Sequence, residues 1–297
     1  MNKPLNQANS SKSWLSLQTI VLLAIAWSVL ALLSALFFSL PVADAEGVFR
    51  RSEGYIISTY IFQSVAYLAA AILCFRNLLS PSIMSGRSLW LGVGFGMLSY
   101  LLGNLILGYW ELILKQEATN VSPADLFFIA TYLFIGGGMV SALTGRRLNL
   151  ERWQWGLVGV IALVGISLGI WVSTSGNATT TADVTNVPGW AAVLEESVSL
   201  FYTVADVLLL IIATMLLLTF WGGRFSQSWL AIALAVFSLY IGDVWFSYAQ
   251  NHIENYQSGA LLEVFWVFSG VLFAVSAALE YEISSRSRRE KRGRRRA

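Results

Sequence analysis

The chain has 297 residues, of which 56% are hydrophobic and only 12% are charged, and its mean hydropathy is +0.64. A soluble domain with so little charge would aggregate, so the composition excludes the soluble classes and predicts an integral membrane protein. The formal net charge of +2 indicates no partner, because the basic residues are concentrated in a few segments.

Eight mostly apolar stretches follow one another along the chain, each of about 20 residues and therefore long enough to cross a ~30 Å hydrocarbon core as a helix. The predicted spans are residues 15–40, 55–75, 88–111, 124–144, 153–173, 196–220, 228–249 and 260–281. The predicted fold is an all-α polytopic membrane protein with eight transmembrane helices. A cytoplasmic N-terminal segment (1–14) and a basic cytoplasmic tail (282–297) flank them.

The basic residues predict the orientation. If both termini are cytoplasmic, 16 of the 19 Lys and Arg residues lie on the cytoplasmic side, and only Arg50, Arg51 and Lys115 lie outside. This asymmetry agrees with the positive-inside rule and with an even number of spans. The alternative, that the first span is a cleaved signal peptide ending near Ala43-Asp44-Ala45, is disfavoured because its apolar run exceeds a usual signal-peptide core.

The second half of the chain repeats the first at an offset of 139 residues. The matched residues include Phe62 with Phe201, Trp90 with Trp229, Ser99 with Ser238, Gly103 with Gly242, and Tyr109 with Tyr248. One residue is missing from the second copy after the third span, so Asp125 aligns with Glu263. The pattern predicts two like-oriented four-helix units, 15–144 and 153–281, related by an axis along the membrane normal.

Two acidic residues lie deep within predicted spans, where an Asp costs ~2.5 to 3.5 kcal/mol at the bilayer centre. They are Asp206 and Asp243, which the repeat pairs with Tyr67 and Asn104. We expect these residues to face the protein interior and to form a polar cluster in the outer half of the bundle. The candidate ligand-binding or proton-titrating residues are Asp206, Asp243, Asn104, Glu263, Tyr67 and Gln63. A purely structural network, satisfied by neighbouring Ser, Tyr or Trp donors, is the alternative.

Other polar and small residues have structural interpretations. Ser122-Pro123-Ala124-Asp125 is typical of a helix N-terminus, so Asp125 is expected to act as a cap. The glycines within spans, including Gly92 and Gly136 to Gly138, are expected to allow close helix packing. The tail from residue 286 carries eight basic residues, which predicts attraction to anionic lipid. No nucleic-acid partner is expected, because no aromatic side chains are interspersed there to stack on bases.

Several membrane chemistries are excluded by missing residues. No lysine lies within a span, which excludes a retinal Schiff base, and the lone His252, predicted in an outer loop, cannot supply paired haem ligands or an HExxH zinc site. Walker A and GxSxG motifs are also missing. No catalytic residue, metal or cofactor is therefore predicted.

A family resemblance rests on short motifs. The segment Val121-Ser122-Pro123-Ala124-Asp125-Leu126-Phe127-Phe128, together with Ala205-Asp206, Gly242-Asp243 and the last span continuing into a charged helix, resembles multi-span sensory domains that precede diguanylate cyclase or histidine kinase modules in bacteria. The resemblance implies an inner-membrane sensory or scaffolding protein without its own catalytic output domain, acting through a cytoplasmic or membrane protein partner.

Two other functions remain open. Asp206 and Asp243 could serve a small-molecule or proton-coupled transporter as titrating groups at the repeat interface. They also resemble the carboxylate pair of GxGD-type intramembrane aspartyl proteases, around Tyr240-Ile241-Gly242-Asp243. Tyr240 replaces the first glycine of that motif and no Pro-Ala-Leu follows, so the protease is the least favoured hypothesis.

Overall fold

The computed structural model describes residues 16–43, 49–81, 83, 85–115, 121–144, 150–175, 189–223, 226–253 and 256–294. The predicted N-terminal segment lies outside the described residues, as do the side chains of the basic tail after Arg288. Helix dominates the described chain. This confirms the all-α class.

Eight helices in the described chain are long and apolar enough to cross a membrane. They are α1 (Leu17–Phe38), α2 (Glu53–Leu79), α3 (Arg87–Leu112), α4 (Asp125–Thr144), α5 (Arg152–Ser175), α6 (Gly189–Thr219), α7 (Ser226–His252) and α8 (Val264–Arg294). Each coincides with one predicted span. The protein is therefore an integral membrane protein of polytopic helical architecture.

The observed helices differ from the predicted spans mainly at their ends. Helix α6 begins at Gly189, before the predicted start at 196, and α8 continues well beyond 281. His252 is the last residue of α7, so its predicted loop position is wrong. Backbone hydrogen bonding continues into polar segments, whereas the predicted spans followed apolar composition alone. Between α1 and α2, a two-residue strand β1 (Val42–Ala43) pairs antiparallel with β2 (Phe49–Arg50).

The helix neighbours are arranged similarly in the two halves. Helix α3 packs between α2 and α4, and α7 packs between α6 and α8. Within the described chain three helix pairs join the halves, α1 with α8, α2 with α8 and α4 with α6. The 139-residue offset exchanges the last two of these pairs, because it pairs α2 with α6 and α4 with α8. The duplication itself stays a prediction.

Large apolar side chains fill the end of the bundle at which α3 and α7 begin, here called the core end. Among its fully buried large apolar side chains are Leu89, Trp90, Met139, Leu216, Trp229 and Ile232. Close helix contact is visible at Gly92, where an added Cβ would lie 2.6 Å from the Phe134 carbonyl oxygen and 2.7 Å from the Cα of Gly138. Gly137 has no such neighbour within 4 Å, so the packing role predicted for it is wrong.

Candidate functional site

A cavity of about 170 Å³ occupies the opposite end of the bundle, where α3 ends and α4 begins, here called the cavity end. Its walls come from α2, α3, α4, α6, α7, α8 and the segment before α8. One buried water needs roughly 10 to 15 Å³ of such space, so the cavity is large enough for a small organic molecule. Seven aromatic side chains line it, namely Tyr60, Tyr100, Phe128, Tyr132, Tyr202, Phe246 and Trp266.

Most of the predicted site residues meet at this cavity. Four of the six line it, and these are Gln63, Asn104, Asp243 and Glu263. Asp206 and Tyr67 are buried and each contacts a lining residue instead. The Tyr67 ring stacks on Tyr100 with centroids 3.7 Å apart, and Asp206 contacts Tyr132.

The two intramembrane aspartates share one tyrosine. The hydroxyl of Tyr132 on α4 lies 2.7 Å from Oδ1 of Asp206 on α6 and makes a second, short contact with Oδ2 of Asp243 on α7. Trp266 Nε1 on α8 donates to the other oxygen of Asp243 at 2.8 Å. The four side chains therefore form one network that connects four helices.

The proton count of this network follows from its geometry. A tyrosine hydroxyl carries one proton, so it donates to one carboxyl and can only accept from the other. Both contacts are hydrogen bonds only if the second carboxyl is itself protonated. With both contacts made as hydrogen bonds, the Asp206 and Asp243 pair can hold one proton between its two carboxyls.

Glu263 and Asp125 occupy matching positions at the starts of α8 and α4. The Glu263 carboxylate accepts hydrogen bonds from the backbone N–H groups of Gly259 and Ala260 and from the Tyr256 hydroxyl. Burial raises the pKa of Tyr256, and the adjacent Glu263 carboxylate raises it further. The Tyr256 hydroxyl therefore stays protonated and donates.

Asp125 accepts from the Ser122 N–H at 2.6 Å and from the Tyr202 hydroxyl at 2.6 Å. The carboxylate half of the predicted capping box is therefore present at Asp125. Glu263 also receives the backbone N–H groups before its helix, although its sequence contains no cap motif. Both acids are held by neutral donors at the cavity wall.

Asn104 and Gln63 differ in their hydrogen bonding. Asn104 Nδ2 on α3 donates to the Tyr60 carbonyl at 3.1 Å and to the Ser64 hydroxyl at 2.9 Å, both on α2, so it joins two helices rather than the aspartate pair. Gln63 is only 4% exposed and lines the cavity, and its side-chain amide makes no hydrogen bond within the described chain. Two of the candidates thus have free hydrogen-bonding capacity within the described chain, namely Gln63 and Tyr67, whose buried hydroxyl also lacks a partner there.

Sequence analysis missed several residues of this site, and Glu111 and Tyr132 are two of them. Glu111, on the last turn of α3, accepts from the Tyr60 hydroxyl at 2.7 Å and from the Ser258 hydroxyl at 2.6 Å. Its position at the edge of the third span gave a signal that could have found it. Tyr132 gave none, because it is one of 11 tyrosines in an apolar chain and its importance depends on residues from other helices.

The arrangement of the two aspartates is unsuited to activating a water molecule. A carboxylate dyad that activates water needs room for the water between its two carboxyls, and in this protein the Tyr132 hydroxyl lies there. Nowhere in the described ranges do three or more His, Cys, Asp or Glu side chains form a group that could hold a metal ion. The arrangement is suited to binding a ligand or a proton.

No protein-family model, curated protein or solved structure matches this chain, so its functional assignment depends on the chemistry of the cavity.

Proposed function

We propose that this protein is a membrane sensor that binds a small molecule in the cavity between two four-helix units and signals through partner proteins at its cytoplasmic end. The observation that carries the proposal is a polar and aromatic cavity that reaches only one end of the bundle. Concave sites with a few convergent polar groups are where small ligands bind.

The packing below the cavity supports a binding role over a transport role. The cavity lining comes from the halves of the helices nearest the cavity end, whereas Trp90, Trp229 and their neighbours fill the core end. A transporter must open its site to each side in turn, which would require this close-packed region to come apart. A sensor needs only a change in helix position.

Helix α8 offers a route for that change. It begins beside the cavity, where Trp266 contacts Asp243, and it continues as one helix to Arg294. At the core end its Glu280 accepts a hydrogen bond from the Ser85 backbone N–H at 3.2 Å. Movement of α8 on ligand binding would therefore reach both the α2–α3 connection and the basic tail.

The proposal includes an orientation. With both termini cytoplasmic in a bacterial inner membrane, the cavity opens toward the outside and the basic tail lies against anionic lipid or a partner. Reporter fusions at Ser175 and Arg288 should then report opposite sides of the membrane. The same side for both fusions would contradict this orientation.

Ligand binding can be tested with a matched pair of variants on α6. Ser199 lines the cavity, whereas Ser197 is exposed on the same helix and does not. The purified protein would be screened by thermal unfolding against small cations, neutral molecules and anions. We expect at least one compound to stabilise the wild type and the Ser197→Phe variant but not the Ser199→Phe variant. No stabilising compound, or equal stabilisation of both variants, would contradict a ligand site.

Signalling can be tested with the compound that passes this screen. Spin labels at Thr144→Cys and Arg288→Cys, with the lone buried Cys74 changed to Ser, would report the distance between α4 and the end of α8. We expect that distance to change when the compound binds. An unchanged distance with a bound compound would leave a binding protein without the proposed signal.

The Tyr132 bridge favours one alternative function, a proton-coupled carrier. Two buried carboxyls that can share one proton could serve as the titrating element of a transporter. Liposomes containing the protein, a pH-sensitive dye and an imposed pH gradient would detect proton flux. Flux that Asp206→Asn abolishes would support the carrier, whereas no flux above protein-free liposomes would contradict it.

A further inference from the structure

The charge of the cavity lining has one sign. Four lining residues are acidic, namely Asp125, Glu195, Asp243 and Glu263, and the described lining contains no Lys, Arg or His. Two more carboxyls, those of Glu111 and Asp206, bond to lining residues. In a cavity with apolar walls such a set of acids produces a strong negative potential.

Five of these six carboxyls have hydrogen-bond partners that carry no positive charge. Hydroxyl, indole or backbone N–H groups hold the carboxyls of Glu111, Asp125, Asp206, Asp243 and Glu263. The described chain places no basic side chain within ion-pair distance of these five carboxyls. Arg51, the basic side chain whose charge acts on Glu263, instead donates to the carbonyls of Ser39 and Gln257.

A free polar group faces the same space. Gln63 is nine-tenths buried in the wall and its amide lacks a protein partner within the described chain. Its amide atoms are not fully enclosed by protein, so a molecule in the cavity can reach them and form a hydrogen bond. The amide oxygen can accept a hydrogen bond from an N–H or O–H group of such a molecule.

The aromatic walls define the type of cation. Tyrosine, phenylalanine and tryptophan rings attract organic cations through their faces, by up to about 2 kcal/mol when the site is desolvated. Hard metal ions instead need several oxygen ligands converging at short distance, and the described residues offer no such group.

We infer that the cavity binds a small organic ammonium ion, with the carboxyl of Asp243 as its counter-ion, the amide of Gln63 as an acceptor and the tyrosine rings as its walls. This inference rests on the proposed ligand-binding function and names the chemical class of the ligand.

Pairs of charged and neutral probes of the same shape provide the test. Choline would be compared with 3,3-dimethylbutan-1-ol, its uncharged carbon analogue, and 2-phenylethylamine with 2-phenylethanol. Binding to the purified full chain would be measured by calorimetry at constant ionic strength in potassium chloride. We expect at least one ammonium probe to bind about tenfold or more tightly than its neutral analogue.

Two variants test whether Asp243 causes the preference for the charged probe. Asp243→Asn should remove most of the preference for the charged probe while leaving the binding of the neutral analogue unchanged. Glu53→Gln is the control, because Glu53 is an exposed acid that pairs with Lys115 outside the cavity lining. An equal loss of preference in both variants would overturn the role of Asp243.

The outcomes separate this inference from the function on which it rests. If the charged and neutral probes bind equally, and Ser199→Phe abolishes both, the ligand site stands and the inference about charge is overturned. If the ammonium probes do not bind while anions or neutral compounds stabilise the protein, the inference is also overturned. If no compound of any class binds, the proposed function fails as well. The probe comparison uses the wild type, so it remains decisive even where a variant does not fold.

Discussion

At the cavity, the two halves of the bundle make the same close helix contact with different chemistry. Helix α3 meets α4 where Gly103 lies under Phe128, and α7 meets α8 where Gly242 lies under Trp266. An added Cβ would lie 2.8 Å from the ring of Phe128 and 2.5 Å from Nε1 of Trp266. The indole fills the place of the phenyl ring and also brings an N–H donor to Asp243. In this protein the acid occurs in the half whose aromatic ring can hydrogen-bond to it.

At the core end the two halves also differ, and there the first half has the smaller residues at the helix contact. Helices α3 and α4 approach through Gly92 and Gly138, and the equivalent positions in the second half are Ala231 and Ser276. The first half therefore uses its smallest residues for packing, whereas four of the six acids at the cavity come from the second half. This contrast between a packing half and an acidic half predicts the order of the following mutational effects.

The largest effect is expected from Gly92→Ala. The new Cβ would collide with the Phe134 carbonyl and with Gly138, both backbone groups that cannot move aside, so we expect a loss of about 3 kcal/mol in unfolding free energy. Gly137→Ala is the matched control, with open space around the new Cβ, and should be neutral or slightly stabilising. Denaturation in mixed micelles measures both, and equal effects would contradict the close contact between α3 and α4.

Asn104 and Asp243 occupy equivalent positions, and giving each the other's residue type should lower the unfolding free energy by unequal amounts. Asn104→Asp removes the N–H donor that holds the Tyr60 carbonyl and places a carboxylate oxygen against it, so we expect a loss of about 2 to 3 kcal/mol. Asp243→Asn keeps an oxygen for the Trp266 indole N–H, and we expect less than about 1 kcal/mol. The same micelle denaturation compares the two. A larger loss of unfolding free energy for Asp243→Asn than for Asn104→Asp would contradict this contrast between the two halves.

Removing the bridging hydroxyl should have an intermediate effect. Tyr132→Phe removes the hydroxyl that joins the Asp206 and Asp243 carboxyls, so we expect a loss of about 1 to 2 kcal/mol in unfolding free energy. Tyr202→Phe is the comparison, because Asp125 keeps its donors from Ser122 and should lose less. If both variants lose equal stability, the Tyr132 network is no more important than an ordinary cap.

The smallest effect concerns the two equivalent tryptophans. Trp90 Nε1 donates to the Ser85 hydroxyl at 2.7 Å, whereas Trp229 stacks on Phe220 and its buried indole N–H lacks a partner within the described chain. Both lose the same volume on substitution by Phe, so the difference between them isolates the hydrogen bond. We expect Trp90→Phe to cost about 1 kcal/mol more than Trp229→Phe in thermal or denaturant unfolding. The reverse order would contradict the Ser85 contact.

The sequence alone determined the number and placement of the membrane spans, because hydropathy and length are local properties that a bilayer tests segment by segment. It also identified Asp206 and Asp243 as unusual, since an acid within a span is costly wherever its helix points. Only the tertiary structure decided what these acids contact. The rotation and offset of packed helices placed Tyr132 between them, Glu111 beside Ser258, and Gln63 in the cavity wall without a partner. The sequence of a single helix does not determine its rotation or offset, because both depend on the neighbouring helices.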